Sequence, residues 1–127
     1  MNYNGEDYIC YAWTAIPGYS AFGSYTGNGA ADAPFIHCGF QPHWILIKST
    51  GSANWFLKDT TRDPHNPRLL SFLVDANSAE SDYGNGYDWD ILSNGFKISN
   101  TSELNTSGTT HIYCAFAEHP FKTSRAR

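Results

Sequence analysis

The chain has 127 residues, a length that suits one domain with a sizeable core. Its 8 Lys and Arg against 12 Asp and Glu give a net charge of −4, without the positive stripe typical of nucleic-acid-binding proteins. Its apolar runs are too short for a membrane helix, and the chain does not open on a secretory signal pattern. We therefore expect a single domain over residues 1–127 that neither binds nucleic acid nor inserts into a membrane.

The first predicted strand, residues 8–14, reads YICYAWT and is similar to HIYCAFA at residues 111–117. Alternate residues of a strand share a face, so each stretch presents one apolar stripe. The stripes are Ile9, Tyr11 and Trp13 in the first stretch and Ile112, Cys114 and Phe116 in the second. We expect these stretches to be neighbouring strands that share one core, which places the termini next to each other.

Eight further strands are predicted, because turn residues interrupt the chain before any helix could run three turns. They lie at about 19–25, 34–38, 43–48, 54–59, 68–74, 87–92, 95–99 and 110–117. Residues 43–48, HWILIK, are apolar on both faces, which indicates a central strand covered on both sides. Residues 78–82, SAESD, allow one helical turn. The pattern predicts an all-β fold, a compact antiparallel β-sandwich of the jelly-roll or lectin type.

The strongest local signal is a hairpin over residues 90–99, DILSNGFKIS. Asn94-Gly95 lies between two apolar runs, and both residue types accept the positive φ that a two-residue hairpin turn requires. We place this pair at the turn.

Short phrases in a fixed order cover nearly the whole chain. They include FGSYTGNG at 22–29, WILIK at 44–48, LSNGFK at 92–97 and AFAEHPFK at 115–122. In these phrases the chain resembles a domain of tailed phages, common in marine and cyanobacterial phages, that forms the C-terminal part of tail-fibre-like and other virion surface proteins. The resemblance implies assembly in the host bacterial cytoplasm and a place on the virion surface. Its implied partners are other virion proteins, a host surface glycan, and further copies of the chain, as a trimer.

The titratable residues form no recognisable catalytic set. His111 and Cys114 are three apart on a predicted strand and point to opposite faces, so they cannot pair locally as base and nucleophile. Asp88 and Asp90 share a strand face, where a solvated edge is the usual role. Together with Asp82 and Asn85 they could offer oxygen ligands to calcium, although the EF-hand order is missing. We expect a protein that is not an enzyme, with no catalytic residue, no metal and no cofactor.

A candidate ligand site follows from the predicted topology. A hairpin of strands 43–48 and 54–59 has its tip at residues 49–53, and the return along 68–74 starts the long loop 75–86 at the same end of the sandwich. Aromatic faces with amide and carboxylate groups are typical of sugar sites. The candidate glycan-binding residues are Asn54, Asp82, Tyr83, Asn85 and Tyr87. The alternative is a structural module for capsid decoration or fibre assembly that binds copies of itself.

Two local expectations complete the prediction. In the loop TRDPHNPR, residues 61–68, Arg62 is expected to pair with Asp59 or Asp63 or to bond backbone carbonyls, and the functional alternative is a contact with an anion or a sugar. The three cysteines, Cys10, Cys38 and Cys114, are expected to be reduced, because phages assemble in a reducing cytosol.

Overall fold

A computed structural model describes residues 4–84, 87–99 and 103–119, and within these ranges the chain is all-β. The strands are β1 (Ser20–Thr26), β2 (Asp32–His37), β3 (Pro42–Ser49), β4 (Trp55–Asp59), β5 (Leu70–Leu73), β6 (Ser81–Asp82), β7 (Asp88–Leu92), β8 (Gly95–Ser99) and β9 (Thr110–Ala117). One 3-10 turn, Glu103–Asn105, precedes β9. Within the described ranges, no helix is long and apolar enough to cross a membrane.

The strands form two antiparallel sheets. The larger sheet has the order β1-β9-β3-β4-β5-β6, and the smaller has the order β2-β8-β7. The smaller sheet packs on the inner face of the larger, and the core between them contains Ile45, Ile47 and Phe56 from one sheet and Trp89 and Phe96 from the other. The predicted β-sandwich is therefore confirmed.

The first predicted strand, residues 8–14, is wrong. This segment forms no strand, and its side chains are exposed, Ile9 by 83% and Trp13 by 60%. Pairing with β1 stops at one bridge, between Ile16 and Ser20. Alternating apolar residues make a strand only where a neighbour supplies the hydrogen bonds, and no described strand supplies them to residues 9–14. The expected closeness to β9 is confirmed, since the Trp13 and Phe116 ring centroids lie 6.4 Å apart.

The predicted shared core of the two stretches is also wrong, because the stripe on β9 faces outward. His111 and Ala115 are the fully buried residues of β9, whereas Ile112 is 47% exposed. Strand partners in register share a face, so a set of apolar side chains lies on the side of the large sheet away from the small one. We name this set the outer apolar face: Phe22, Trp44, Leu46, Leu57, Phe72, Ile112, Cys114 and Phe116.

The stretch HWILIK is confirmed as a central strand, because β3 lies between β9 and β4. The expectation that both its faces are covered is wrong. Ile45 and Ile47 are fully buried beneath the small sheet, while Trp44 and Leu46 belong to the outer apolar face and are half-buried.

The hairpin of β7 and β8 is confirmed, but its turn lies one residue earlier than predicted. Leu92 pairs with Gly95, so Ser93 and Asn94 form the turn and the glycine begins β8. A Cβ on Gly95 would lie 2.1 Å from the Ile36 carbonyl oxygen. The glycine is therefore required by the close approach of β2 rather than by the turn.

The predicted helical turn at residues 78–82 is wrong. Ser81 and Asp82 form β6, which pairs with Ser71 and Leu70 of β5. Strand pairing offers these residues backbone partners that an isolated helical turn would not supply.

The predicted contact of Arg62 with Asp59 is confirmed. The Arg62 Nε lies 2.5 Å from the Asp59 carboxylate, and its Nη1 lies 3.3 Å from Glu80. Asp59 also accepts backbone N–H bonds from Thr61 and Arg62. This end of β4 is thus fastened to the loop that follows it.

The three cysteines are unbridged and differ in surroundings, so they should alkylate at different rates. Cys10 is exposed, whereas burial raises the pKa of Cys38 to about 11 and also raises that of Cys114. Because the thiolate is the reacting form, iodoacetamide at pH 7.5 should modify Cys10 at least about tenfold faster than the other two. Mass spectrometry of peptides from a time course measures this. A bridged pair in the non-reduced protein, or equal rates at all three sites, would contradict the prediction.

Candidate functional site

A cleft of about 290 Å³ lies at one end of the sandwich. The β3–β4 hairpin tip meets the turn before β9 there, because β3 and β9 pair as far as Ser49 and His111 and the Thr50 N–H donates to the Thr110 carbonyl at 2.9 Å. Seven residues line the cleft: Ser49, Gly51, Ser52, Ala53, Glu103, Thr106 and Thr109. The predicted gathering of loops at this end is confirmed for the hairpin tip and for the start of the 75–86 loop, since the Trp55 N–H donates to Asp75 Oδ1 at 2.9 Å.

The cleft wall is rich in hydroxyl groups and contains one carboxylate among the described residues, that of Glu103. The Ser49 hydroxyl accepts the Gly51 N–H at 3.0 Å, and Lys48 Nζ donates to the Ala53 carbonyl at 2.6 Å. These bonds hold the hairpin tip in one shape. Four hydroxyls and one carboxylate form a wall that can both donate and accept hydrogen bonds.

Asn105 fixes the turn that supplies the other half of the wall. Its side chain is fully buried; Oδ1 accepts the Asn28 N–H at 2.9 Å, and Nδ2 donates to Asn28 Oδ1 at 2.9 Å and to the Ala30 carbonyl at 2.8 Å. The Asn105 carbonyl accepts the Gly29 N–H at 2.8 Å. A Cβ on Gly27 would lie 2.4 Å from the Thr106 carbonyl oxygen, so only glycine permits this approach of the two loops.

Tyr87 and Tyr83 lie beside the cleft. The Tyr87 ring stacks on Phe56 with centroids 5.2 Å apart, and Tyr83 meets it edge-on at 6.1 Å. Burial first, and then the charge and hydrogen bonding of the nearby Glu103 carboxylate, raise the pKa of the Tyr87 phenol. The two rings therefore lie next to the cleft wall, on the side where Glu103 is located.

The structure brings together some of the predicted glycan-binding residues and separates others. Tyr83 and Tyr87 are in contact, and the exposed Asn54 directly follows Ala53 of the cleft wall. Asp82 lies opposite Leu70, at the end of β5 away from the hairpin tip, because β6 is antiparallel to β5. Its Oδ1 accepts the Gly84 N–H at 2.7 Å. Asn85 lies outside the described residues.

Sequence reasoning missed Glu103, Thr106 and Thr109, which form half of the cleft. They lie about 50 residues beyond the hairpin tip in the sequence, and only the pairing of β3 with β9 makes them neighbours. The available signal was the run of Ser, Thr and Asn between β8 and β9, which is typical of an exposed loop.

The acidic residues near β6 and β7 do not form a metal site among the described residues, where no three His, Cys, Asp or Glu side chains could hold an ion together. Asp88 is partly buried, and burial raises the pKa of its carboxyl while Lys58 opposes that shift. Its neighbour Asp90 pairs in register with Lys97 of β8.

Comparison with known proteins gives one family. No curated protein and no solved structure matches the chain. The family described as a domain of unknown function, DUF7483, matches residues 1–120, and the chain belongs to this family.

Proposed function

We propose that this domain is a non-enzymatic module of the virion surface in tailed phages, and that its cleft contacts a glycan of the host surface. The observation that carries the proposal is the composition of the cleft: four hydroxyls and Glu103, flanked by the Tyr83 and Tyr87 rings. Sugar hydroxyls both donate and accept hydrogen bonds, and the faces of sugar rings pack on aromatic side chains. A wall of this kind suits a sugar.

The charges of the cleft favour a neutral sugar. Among the described lining residues, Glu103 is the single ionisable group and no Lys or Arg is present. An anionic glycan would meet the Glu103 carboxylate in the wall itself, while the Lys48 ammonium at the hairpin tip is bound by the Gly51 and Ala53 carbonyls, so binding of an anion is unfavourable. Hydrolysis of a glycosidic bond normally uses two carboxyl groups flanking that bond, and this wall provides one. Binding without hydrolysis is the function that these groups support.

The virion assignment is supported by the ordered phrases that resemble the tailed-phage domain, and the localisation and partners follow from it as part of the proposal. The structural alternative, a capsid-decoration or fibre-assembly module, is favoured by a different observation. The outer apolar face leaves aliphatic and aromatic side chains half-buried on a sheet surface, where antiparallel sheets usually carry polar residues. Such a face suits a protein partner in the particle.

Substitution in the cleft should reduce glycan binding. Glu103→Gln keeps the shape of the side chain but removes its charge, and Thr109→Val removes a hydroxyl at nearly constant volume. Each should weaken binding about tenfold, since one hydrogen bond to a ligand contributes on the order of 1.4 kcal/mol. An array of bacterial capsule and O-antigen polysaccharides identifies a bound glycan, and calorimetry then measures its Kd.

The matched control is Glu118→Gln, which makes the same chemical change just beyond the far end of β9, roughly 25 Å from the cleft. It should leave the Kd unchanged. Equal affinity of Glu103→Gln, Thr109→Val and the wild-type protein would show that the glycan does not bind in this cleft. Failure of every polysaccharide on the array to bind would count for the structural alternative.

A further inference from the structure

Strand β1 has one edge without a strand neighbour among the described residues. β1 is the first strand of the large sheet and pairs with β9 alone. The Ala117 N–H donates to the Tyr19 carbonyl at 2.8 Å, which fixes the residues of β1 that bond toward β9 as the odd-numbered ones. The N–H and C=O groups of Phe22, Ser24 and Thr26 therefore point to the opposite edge, where no described residue pairs with them.

This edge lacks the features that keep other edge strands from pairing. The sequence of β1, SAFGSYT, contains no charged residue and no proline, and its register with β9 runs without a bulge from Ser20 to Thr26. Proteins usually protect an edge with one of these devices, because an open edge accepts any extended chain. An unprotected edge is therefore a place where an extended segment can add as a further strand.

The same chain contains a strand-patterned segment that belongs to neither of the two described sheets. Residues 8–14 alternate apolar side chains and form no strand, and Ile9, Tyr11 and Trp13 are exposed by 83%, 73% and 60%. The ring of Tyr11 stacks on Trp13 at 5.9 Å, and Trp13 stacks on Phe22 of β1 at 6.4 Å. The segment thus already lies at the border of the open edge.

The segment does not fit the edge of its own β1. Ile16 and Ser20 exchange backbone bonds of 3.1 and 2.9 Å around a three-residue turn, and continuing that register would place Thr14 opposite Phe22. Trp13 would then point to the inner side of the sheet, whereas its ring stacks on Phe22 on the outer side. The Ser20 hydroxyl also donates to the Thr14 carbonyl at 3.0 Å, which ends the pairing after one residue.

We propose that residues 8–14 of a second copy of this chain add to the open edge of β1 as a further strand. Each copy contains both parts of the contact, a strand-patterned segment that forms no strand and an unprotected edge, so that association of identical chains satisfies both. The alternating side chains of the added segment cover the Phe22 end of the outer apolar face. None of residues 8–26 lines the glycan cleft, so this contact stands apart from sugar binding.

Two variants and one control test the contact. Ser24→Pro removes an outward N–H of β1 and leaves the bonds to β9 intact, while Trp13→Ser changes a residue in the segment that forms no strand. Light scattering during size exclusion should show the wild-type chain as a dimer or larger at 100 µM, and both variants should raise the Kd of association at least tenfold. The control Val74→Ser removes an exposed apolar side chain just after β5, four strands from β1, and should change nothing.

Hydrogen exchange measured by NMR separates strand addition from other modes of association. At a concentration where the wild-type chain is associated, its Phe22, Ser24 and Thr26 amides should exchange at least tenfold more slowly than the same amides of the Trp13→Ser variant. A wild-type chain that stays monomeric at 100 µM would overturn the proposal. So would an oligomer that forms equally well with Trp13→Ser, or one in which these three amides exchange as fast as in the monomer.

Discussion

Replacing Lys58 with methionine will remove a pH dependence from the stability of the fold. The free energy of unfolding of the wild-type protein, relative to that of Lys58→Met, should rise by about 2.5 kcal/mol between pH 7 and pH 10. Lys58 is 1% exposed on the inner face of β4, with its Nζ donating to the Arg68 carbonyl and lying 5.4 Å from the centre of the Trp89 ring. Burial lowers the pKa of this amine from its ordinary 10.5 to about 8, although Asp63, Asp88 and Asp82 oppose the shift.

The free energy of unfolding rises with pH because the folded and unfolded states bind different numbers of protons. Below about pH 8 both the folded and the unfolded chain keep the Lys58 proton. Between pH 8 and pH 10.5 the folded chain has released it while the unfolded chain still binds it, so the free energy of unfolding increases with pH. Above pH 10.5 both states are neutral at this residue and the gain is complete.

Urea unfolding at several pH values measures the difference between the two proteins. Other groups that titrate at high pH, such as Cys38, are present in both proteins and cancel in the difference. The control is Phe56→Leu, a neighbouring inner-face position on β4 without an ionisable group, whose difference from the wild type should not change with pH. A difference for Lys58→Met that is likewise constant from pH 7 to pH 10 would mean that the amine is hydrated in the folded protein.

The residues that surround Lys58 show why its role could not be predicted from sequence. In FLKD a lysine that follows two apolar residues and precedes an aspartate suggests a strand end with the amine in solvent, because lysine is rarely buried. The structure instead places it between the sheets, where the backbone carbonyl of Arg68 and the face of Trp89 replace water. Both partners come from other parts of the chain, and Arg68, which precedes β5, is itself joined to Trp89 of β7 by an isolated bridge.

Local pattern was sufficient for the strands that have neighbours and insufficient for the segment that lacks one. The alternation of residues 110–117 is like that of residues 8–14, yet the former is the second strand of the large sheet, with β1 and β3 on its two sides. A hydrophobic period can be read from one segment alone, whereas a β-strand forms only when a second segment pairs with it. For the same reason sequence could suggest only part of the candidate site: Tyr83 and Tyr87 come from one loop, while Glu103 comes near Tyr87 only through the β3–β9 pairing.

Asn105→Ala should destabilise the protein by about 3 kcal/mol, because the substitution removes three side-chain hydrogen bonds to described residues, each of about 1 kcal/mol. These bonds join the turn before β9 to the loop between β1 and β2, so their loss should also loosen Thr106 and Thr109 in the cleft. Denaturant unfolding at pH 7 gives the first quantity. Amide exchange over residues 103–109, measured under native conditions, gives the second.

The matched variant is Asn105→Asp, which has the same size and replaces the donating amide by a carboxyl. At pH 7 a buried carboxylate would face the Ala30 carbonyl and Asn28 Oδ1, two acceptors that repel it, so this variant should be less stable than Asn105→Ala. Protonation restores one donor. Since the neutral form is the one that fits, the folded-state pKa of the new carboxyl should lie above its unfolded value, and the stability lost at pH 7 should partly return as the pH falls toward 4. If Asn105→Ala and Asn105→Asp are equally stable at both pH values, Asn105 is not a buried donor. Other bonds must then hold the turn before β9 in place.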